Sequence, residues 1–178
     1  RQHAGKRRRP ANQPLSGGPT AGVAHHAHGF DKVGDAAGFV PHRGGLHIHV
    51  LFAARLQPLK APDVAINALG LLPEDERPDL VIVGQVSADF ADYEAELHRL
   101  VEDGGVADKV TFLPGQDRDS FAQIMRHASV MLVPSYSETF GLVALEASAS
   151  GVPTLAAAAG GLTEAICNGH TGQLVTTH

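Results

Sequence analysis

From residue 46 onward the chain carries two rhythms in turn. Short, nearly unbroken apolar runs recur: LHIHVLFAAR at 46–55, PDLVIVG at 78–84, KVTFLPG at 109–115, SVMLVPS at 129–135, VPTLAA at 152–157 and TGQLVTT at 171–177. Runs this short, rich in β-branched residues, predict strands buried on both faces. Between them the period lengthens to that of a helix. APDVAINALGLL (61–72) offers Pro62 and Asp63 for a first helical turn. FADYEAELHRLVEDGG (90–105) puts Tyr93, Leu97, Leu100 and Val101 on one face, with Gly104 to end it. DSFAQIMRHA (119–128) brings Phe121, Ile124, Met125 and Ala128 into phase. FGLVALEASASG (140–151) reads as a helix closed by Gly151, and GLTEAICNG (161–169) as a short one. Strand and helix alternate throughout. The expected fold is α/β, a Rossmann-like parallel sheet with helices on both faces, over residues 46–178.

Residues 1–45 follow neither rhythm. They are rich in Gly, Pro, His and Arg, and only FDKVGDAAGFV interrupts them with apolar residues. Such a composition buries too little apolar surface to offset its ordering entropy, so an irregular leader is expected. Charge divides at the same place. Residues 1–49 hold seven Lys/Arg against two Asp, and the rest seven Lys/Arg against seventeen Asp/Glu. KRRRP (6–10) is the one run that suggests nucleic acid, and a four-residue basic cluster is more often solvated, so nucleic acid is not the expected partner. His25, His26 and His28 lack a second spaced pair that would complete a metal site. No apolar stretch reaches membrane-spanning length. Cys167 is the only cysteine, which excludes an internal disulfide and points to a reducing, cytoplasmic compartment.

Candidate chemistry lies in loops at the carboxyl ends of strands, where parallel sheets bind ligands. AARLQPLKAPD carries Arg55 and Lys60 around Pro58, a pair suited to an anion such as a diphosphate. PSYSETFGLVALE carries Glu138 in a loop and Glu146 about two turns into the next helix, a separation of roughly 12 Å at helical rise. Between them Phe140, Gly141 and Leu142 offer free N–H groups and the positive end of a helix dipole. Gly160 and Gly161 lead into the last helix, as further N–H donors or simply as a tight turn. No dinucleotide or P-loop glycine signature follows a strand.

The stretch SETFGLVALE resembles the E-x7-E motif of retaining GT-B glycosyltransferases of family 4. RLQPLKAPD and VTFLPGQDRDSFAQIMRHASVMLVPSYSETFGLVALEA are most similar to the branch that begins mycothiol biosynthesis. The resemblance implies a donor domain, in an enzyme transferring N-acetylglucosamine from UDP-N-acetylglucosamine to 1L-myo-inositol 1-phosphate with retention. It implies that Arg55 and Lys60 hold the diphosphate and that Glu138 contacts the transferred sugar, helped by Thr139, Phe140, Gly141 and Leu142. It assigns the ribose to Glu146 and the uracil end to Gln116. It also implies a structural magnesium ion on the backbone at Met125, Arg126 and Ala128, no organic cofactor, and a homodimer in the full-length enzyme. Two departures follow. Ala54 stands where the family carries Gly before the clamp Arg, and the chain lacks residues resembling the acceptor-binding half or the closing helices. The fragment alone is therefore expected to be inactive, behind a leader unrelated to the family. Alternatives are a mannosyl- or glucosyltransferase of the same fold and a non-catalytic nucleotide-binding fragment.

Overall fold

The structure is a computed structural model in which residues 48–176 are described. The leader, with KRRRP and His25, His26 and His28, lies outside them. All six apolar runs form strands: β1 His49–Ala53, β2 Asp79–Val83, β3 Val110–Leu113, β4 Val130–Val133, β5 Thr154–Ala157 and β6 Gly172–Val175. They pair in parallel in the order β3-β2-β1-β4-β5-β6. Five α-helices connect them: α1 Pro62–Gly70, α2 Ala91–Asp103, α3 Arg118–His127, α4 Leu142–Ala149 and α5 Leu162–Ala165. The Rossmann-like expectation holds.

The sheet has a core on each face. On one, Phe52, Leu80 and Ile82 pack against Ala65, Ile66 and Leu69 of α1 and Tyr93, Leu97 and Val101 of α2. On the other, Leu51, Val81, Val83, Met131 and Val133 meet Ile124 and Met125 of α3, Ala144 and Ala147 of α4, and Leu162. In β1, β2 and β4 alternate residues therefore serve opposite cores, which is why those runs are apolar throughout, whereas β5 and β6 join only the second core and leave Leu155 and Val175 exposed.

Helix ends follow local rules. Asp117 caps α3 by accepting from the Ser120 amide and hydroxyl and from the Asp119 amide, and these bonds, the Ser120 pair foremost, hold its carboxyl below the ordinary range. After α2, Gly105 rather than Gly104 takes the left-handed conformation. Its N–H donates to Glu102 and that of Val106 to Val101, the paired closure of a Schellman motif. Gly151 and Val152 close α4 in the same way, as expected. Arg77 ties the far ends of α1 and α2 together, donating to the carbonyls of Gly70, Leu72 and Gly105.

Candidate functional site

Strand order reverses between β1, which leads outward to β2 and β3, and β4, which leads outward to β5 and β6. The loops leaving these two strands diverge over opposite faces, so their carboxyl ends border the crevice where open parallel sheets take ligands. One of these loops carries Arg55 and Lys60; the other carries Glu138.

The first loop is shaped by its prolines. Pro58 opens a 3-10 turn, Pro58–Lys60, closed by the Lys60 N–H on the Gln57 carbonyl. Ala61 then adopts φ 55°, the only left-handed non-glycine residue among those described, and Pro62 begins α1. At the second residue of α1, Asp63 accepts from the Tyr93 hydroxyl at 2.8 Å, which fastens the end of this loop to α2. The second loop is fastened to the first by the Tyr136 N–H on the Leu59 carbonyl, 3.0 Å. Between these anchors Lys60 Nζ donates to Glu138 Oε2 at 2.5 Å. Both side chains are largely withdrawn from water, at 16% and 17% exposure.

Burial pushes the Glu138 carboxyl up. The Lys60 hydrogen bond and charge outweigh it, with the amides of Gly141 and Thr139 in support, and hold the group below the usual glutamate range. Glu138 is thus an anion in a cationic, hydrogen-bonding cradle. Gly141 serves a second purpose. At φ 74° it is the N-cap of α4, and a Cβ there would come within 2.9 Å of Leu162. The helical ladder begins with Ala144 donating to Gly141, so the Leu142 and Val143 amides are the orphan donors of the helix end.

The remaining sequence candidates occupy distinct positions. Arg55 is exposed and forms no ion pair among the described residues. Thr139, Phe140 and Leu142 are exposed around the site, and Gly141 is buried. Glu146 is exposed and lies just over one turn into α4, less deep than the two turns expected, because the helix starts at Leu142 rather than Phe140. Gln116 is half-buried beyond β3, its amide donating to the Pro114 carbonyl at 2.8 Å. Pro114 borders a groove of about 410 Å³ at the carboxyl ends of β2 and β3, lined also by Leu56, Gly84, Val86 and Glu94.

The magnesium expectation rests on the backbone of Met125, Arg126 and Ala128, since their side chains offer no ligands. Met125 is in the core, Arg126 is an exposed cation, and the Met125 carbonyl already accepts the Ala128 N–H at 3.0 Å. Among the described residues no group of three or more His, Cys, Asp or Glu is arranged to hold a metal. None of the described helices is long and apolar enough to cross a membrane.

Beyond the Lys60–Glu138 contact itself, two features of the site were not assigned from sequence. One is the Tyr93–Asp63 link. The other is the contact of Gly160 and Gly161 with the Glu138 loop, where the Gly161 N–H donates to the Glu138 carbonyl at 2.7 Å. The Gly-Gly pair was visible in the sequence, but its partner was not.

Comparison with known proteins agrees with this architecture. The chain is 50% identical over 129 residues to the D-inositol 3-phosphate glycosyltransferase of Mycobacteroides abscessus, covering 72% of this chain and 28% of that protein. It is 48% identical over 135 residues to the protein of that name from Streptomyces coelicolor, covering 72% and 29%. The chain thus spans less than a third of the length of these curated relatives. Among solved structures, Anabaena Alr3699/HepE in complex with UDP superimposes with a TM-score of 0.68 at 31% identity, over 73% of this chain and 35% of that one. Sucrose-phosphate synthase from Thermosynechococcus elongatus gives 0.67 at 33% identity, over 73% and 32%. Residues 46–178 match the family model described as glycosyl transferases group 1, and the chain belongs to that family.

Proposed function

We propose that this chain is the nucleotide-sugar half of a retaining glycosyltransferase, moving N-acetylglucosamine from UDP-N-acetylglucosamine to 1L-myo-inositol 1-phosphate. The observation that carries the reading is the Lys60–Glu138 pair at the switch point, beside the amino end of α4. The names of the curated relatives support the acceptor.

The chemistry follows from charge. As the bond from the anomeric carbon to the diphosphate oxygen breaks, negative charge grows on the leaving UDP. Arg55, Lys60 and the Leu142 and Val143 amides face that charge and stabilise it. Lys60 has three N–H donors and gives one to Glu138, so two are left for phosphate oxygens. Glu138, held ionised, accepts from sugar hydroxyls, with Thr139 and Phe140 beside it. Glu146 accepts from the ribose hydroxyls and Gln116 meets the uracil end. The acceptor oxygen attacks the same face of the sugar, and its proton passes to the departing phosphate. No carboxylate acts as a nucleophile. Magnesium is proposed only as a structural ion on backbone carbonyls near 125–128, and no step passes through it. A separate acceptor-binding half, a homodimeric full-length enzyme and a cytoplasmic location belong to the same proposal.

Calorimetric titration with UDP, UDP-N-acetylglucosamine and GDP-mannose tests it. Uridine ligands bind and GDP-mannose does not. Glu146→Ala weakens UDP and UDP-N-acetylglucosamine alike, by about ten-fold, as expected for one lost charged hydrogen bond. A second reading, a glucosyl donor, draws on the solved complex of HepE with UDP-glucose. Tighter binding of UDP-glucose than of UDP-N-acetylglucosamine would select it.

A further inference from the structure

We infer that Gly160 and Gly161 are positioning residues for Glu138, and that through them the turn between β5 and α5 sets how the site tells a sugar-bearing donor from a bare nucleotide. The second half of this inference rests on the function proposed above.

The geometry is one of close backbone stacking. Gly160 sits at φ 52°, and a Cβ there would lie 2.1 Å from the Glu138 carbonyl oxygen. A Cβ on Gly161 would lie 2.5 Å from the Thr139 carbonyl oxygen and 2.7 Å from the Phe140 Cα. Neither position tolerates a side chain without moving the loop, since both obstacles are backbone. The contact is also directional, because the Gly161 N–H donates to the Glu138 carbonyl at 2.7 Å. That bond uses the amide, so Gly161 serves as a brace and not as a further donor to ligand. Leu162, fully buried, extends the support beneath Gly141. Thr163 fixes the turn from its own side, its hydroxyl donating to the Gly160 carbonyl at 2.9 Å.

The Glu138 loop is therefore held from two directions. Toward β1, Tyr136 is bonded to Leu59 and the Glu138 carboxylate to Lys60. Toward β5, the backbone of residues 138–140 rests on the two glycines. Moving the second support displaces first the carboxylate that contacts the sugar; of the diphosphate contacts it reaches only Lys60 and the α4 end, while Arg55 and the groove beyond β3 stay in place. Discrimination should change more than nucleotide affinity.

The test uses the 178-residue chain with Gly161→Ala and, separately, Thr163→Val, whose site is exposed and introduces no clash. Carboxyl-carbon NMR follows the titration of Glu138 in the ligand-free protein, with Asp117 as internal reference. Calorimetry gives Kd for UDP and for UDP-N-acetylglucosamine. In Gly161→Ala the Glu138 midpoint rises toward the ordinary carboxylate value while that of Asp117 stays put. The Kd for UDP holds within about two-fold and that for the sugar donor weakens about ten-fold. Thr163→Val shows the same pattern with smaller amplitude, and it carries the test if Gly161→Ala does not fold. An unmoved Glu138 midpoint, a joint shift of Glu138 and Asp117, or equal weakening of both ligands overturns the inference. If the unaltered chain binds neither nucleotide, the proposed function falls, and the Glu138 titration still decides the bracing role.

Discussion

Lys60→Met removes the charge from the most telling contact of the site while keeping the length of the side chain. Lys60 and Glu138 are 16% and 17% exposed and 2.5 Å apart, so water screens the pair weakly. A charge-assisted hydrogen bond contributes about 1.5–3 kcal/mol, and the Gly141 and Thr139 amides continue to support the carboxylate, so a loss of about 2 kcal/mol is expected near neutral pH. The pH dependence has a definite sign. Burial raises the Glu138 pKa, but Lys60 and the two amides bring it below the ordinary value. A depressed carboxyl stabilises the fold above the unfolded pKa of about 4.3, and this stabilisation fades as pH falls through the folded pKa. In the Met variant the contribution of Lys60 is gone and burial is opposed by the amides alone. The gap between the two proteins should therefore be widest near neutral pH and close toward about pH 3. The chain has no Trp, so urea unfolding is followed by far-UV circular dichroism at both pH values. A gap below about 0.5 kcal/mol at neutral pH, the size of an exposed pair, or one independent of pH, would refute this reasoning.

Three further outcomes follow from the scaffold. Arg77→Ala frees three helix-end carbonyls and should lower stability by about 2 kcal/mol in urea unfolding; Arg77→Lys should recover less than half, since an ammonium lacks the planar fork that reaches all three. Ala61→Gly should leave stability within about 1 kcal/mol of the original, the relief of a left-handed alanine offsetting the looser unfolded chain, whereas Ala61→Val, buried and β-branched at φ 55°, should cost more than 2 kcal/mol, roughly, in the same assay. The Tyr93 phenol is pushed above the ordinary range by burial and by its bond to Asp63, so its ionisation is linked to unfolding. Stability should fall as pH rises beyond about 10, and Tyr93→Phe should flatten that fall in alkaline thermal melts.

Legibility from sequence followed the range of the forces involved. The central strands are legible because burial on both faces leaves no polar alternation to confuse with a helix, and β5 and β6, exposed on one side, because their runs are short and bounded by glycine or proline. Boundaries were less so. The first apolar run starts at residue 46, and β1 begins at His49. The helix read from Phe140 begins at Leu142, because Gly141 turns left-handed at its cap. At the end of α2 two consecutive glycines were available, and only the backbone distinguishes Gly105 from Gly104. The Lys60–Glu138 contact lies beyond periodicity altogether, since its partners are 78 residues apart and meet through the crossover from β3 to β4. The same holds for Gly160 and Gly161. A pair of glycines announces a turn, but only packing shows that their missing side chains make room for the Glu138 carbonyl.

The two glutamates of the E-x7-E spacing prove unlike in environment, and the difference bears on how a donor enters. Glu138 arrives already engaged, its carboxylate bonded to Lys60 and further favoured as an anion by the nearby Gly141 and Thr139 amides. Glu146 is exposed and has no ion pair among the described residues. A ligand hydroxyl reaching Glu146 replaces water, whereas one reaching Glu138 has to share an acceptor that the protein has organised in advance. Preorganisation of that kind spares the site a rearrangement when a ligand hydroxyl arrives. The ammonium of Lys60 can turn its two remaining N–H groups to phosphate without releasing Glu138. The nucleotide portion would then be held by contacts that leave the ion pair intact. On the function proposed above, the sugar would then be read by a carboxylate whose position Lys60 fixes before any ligand arrives.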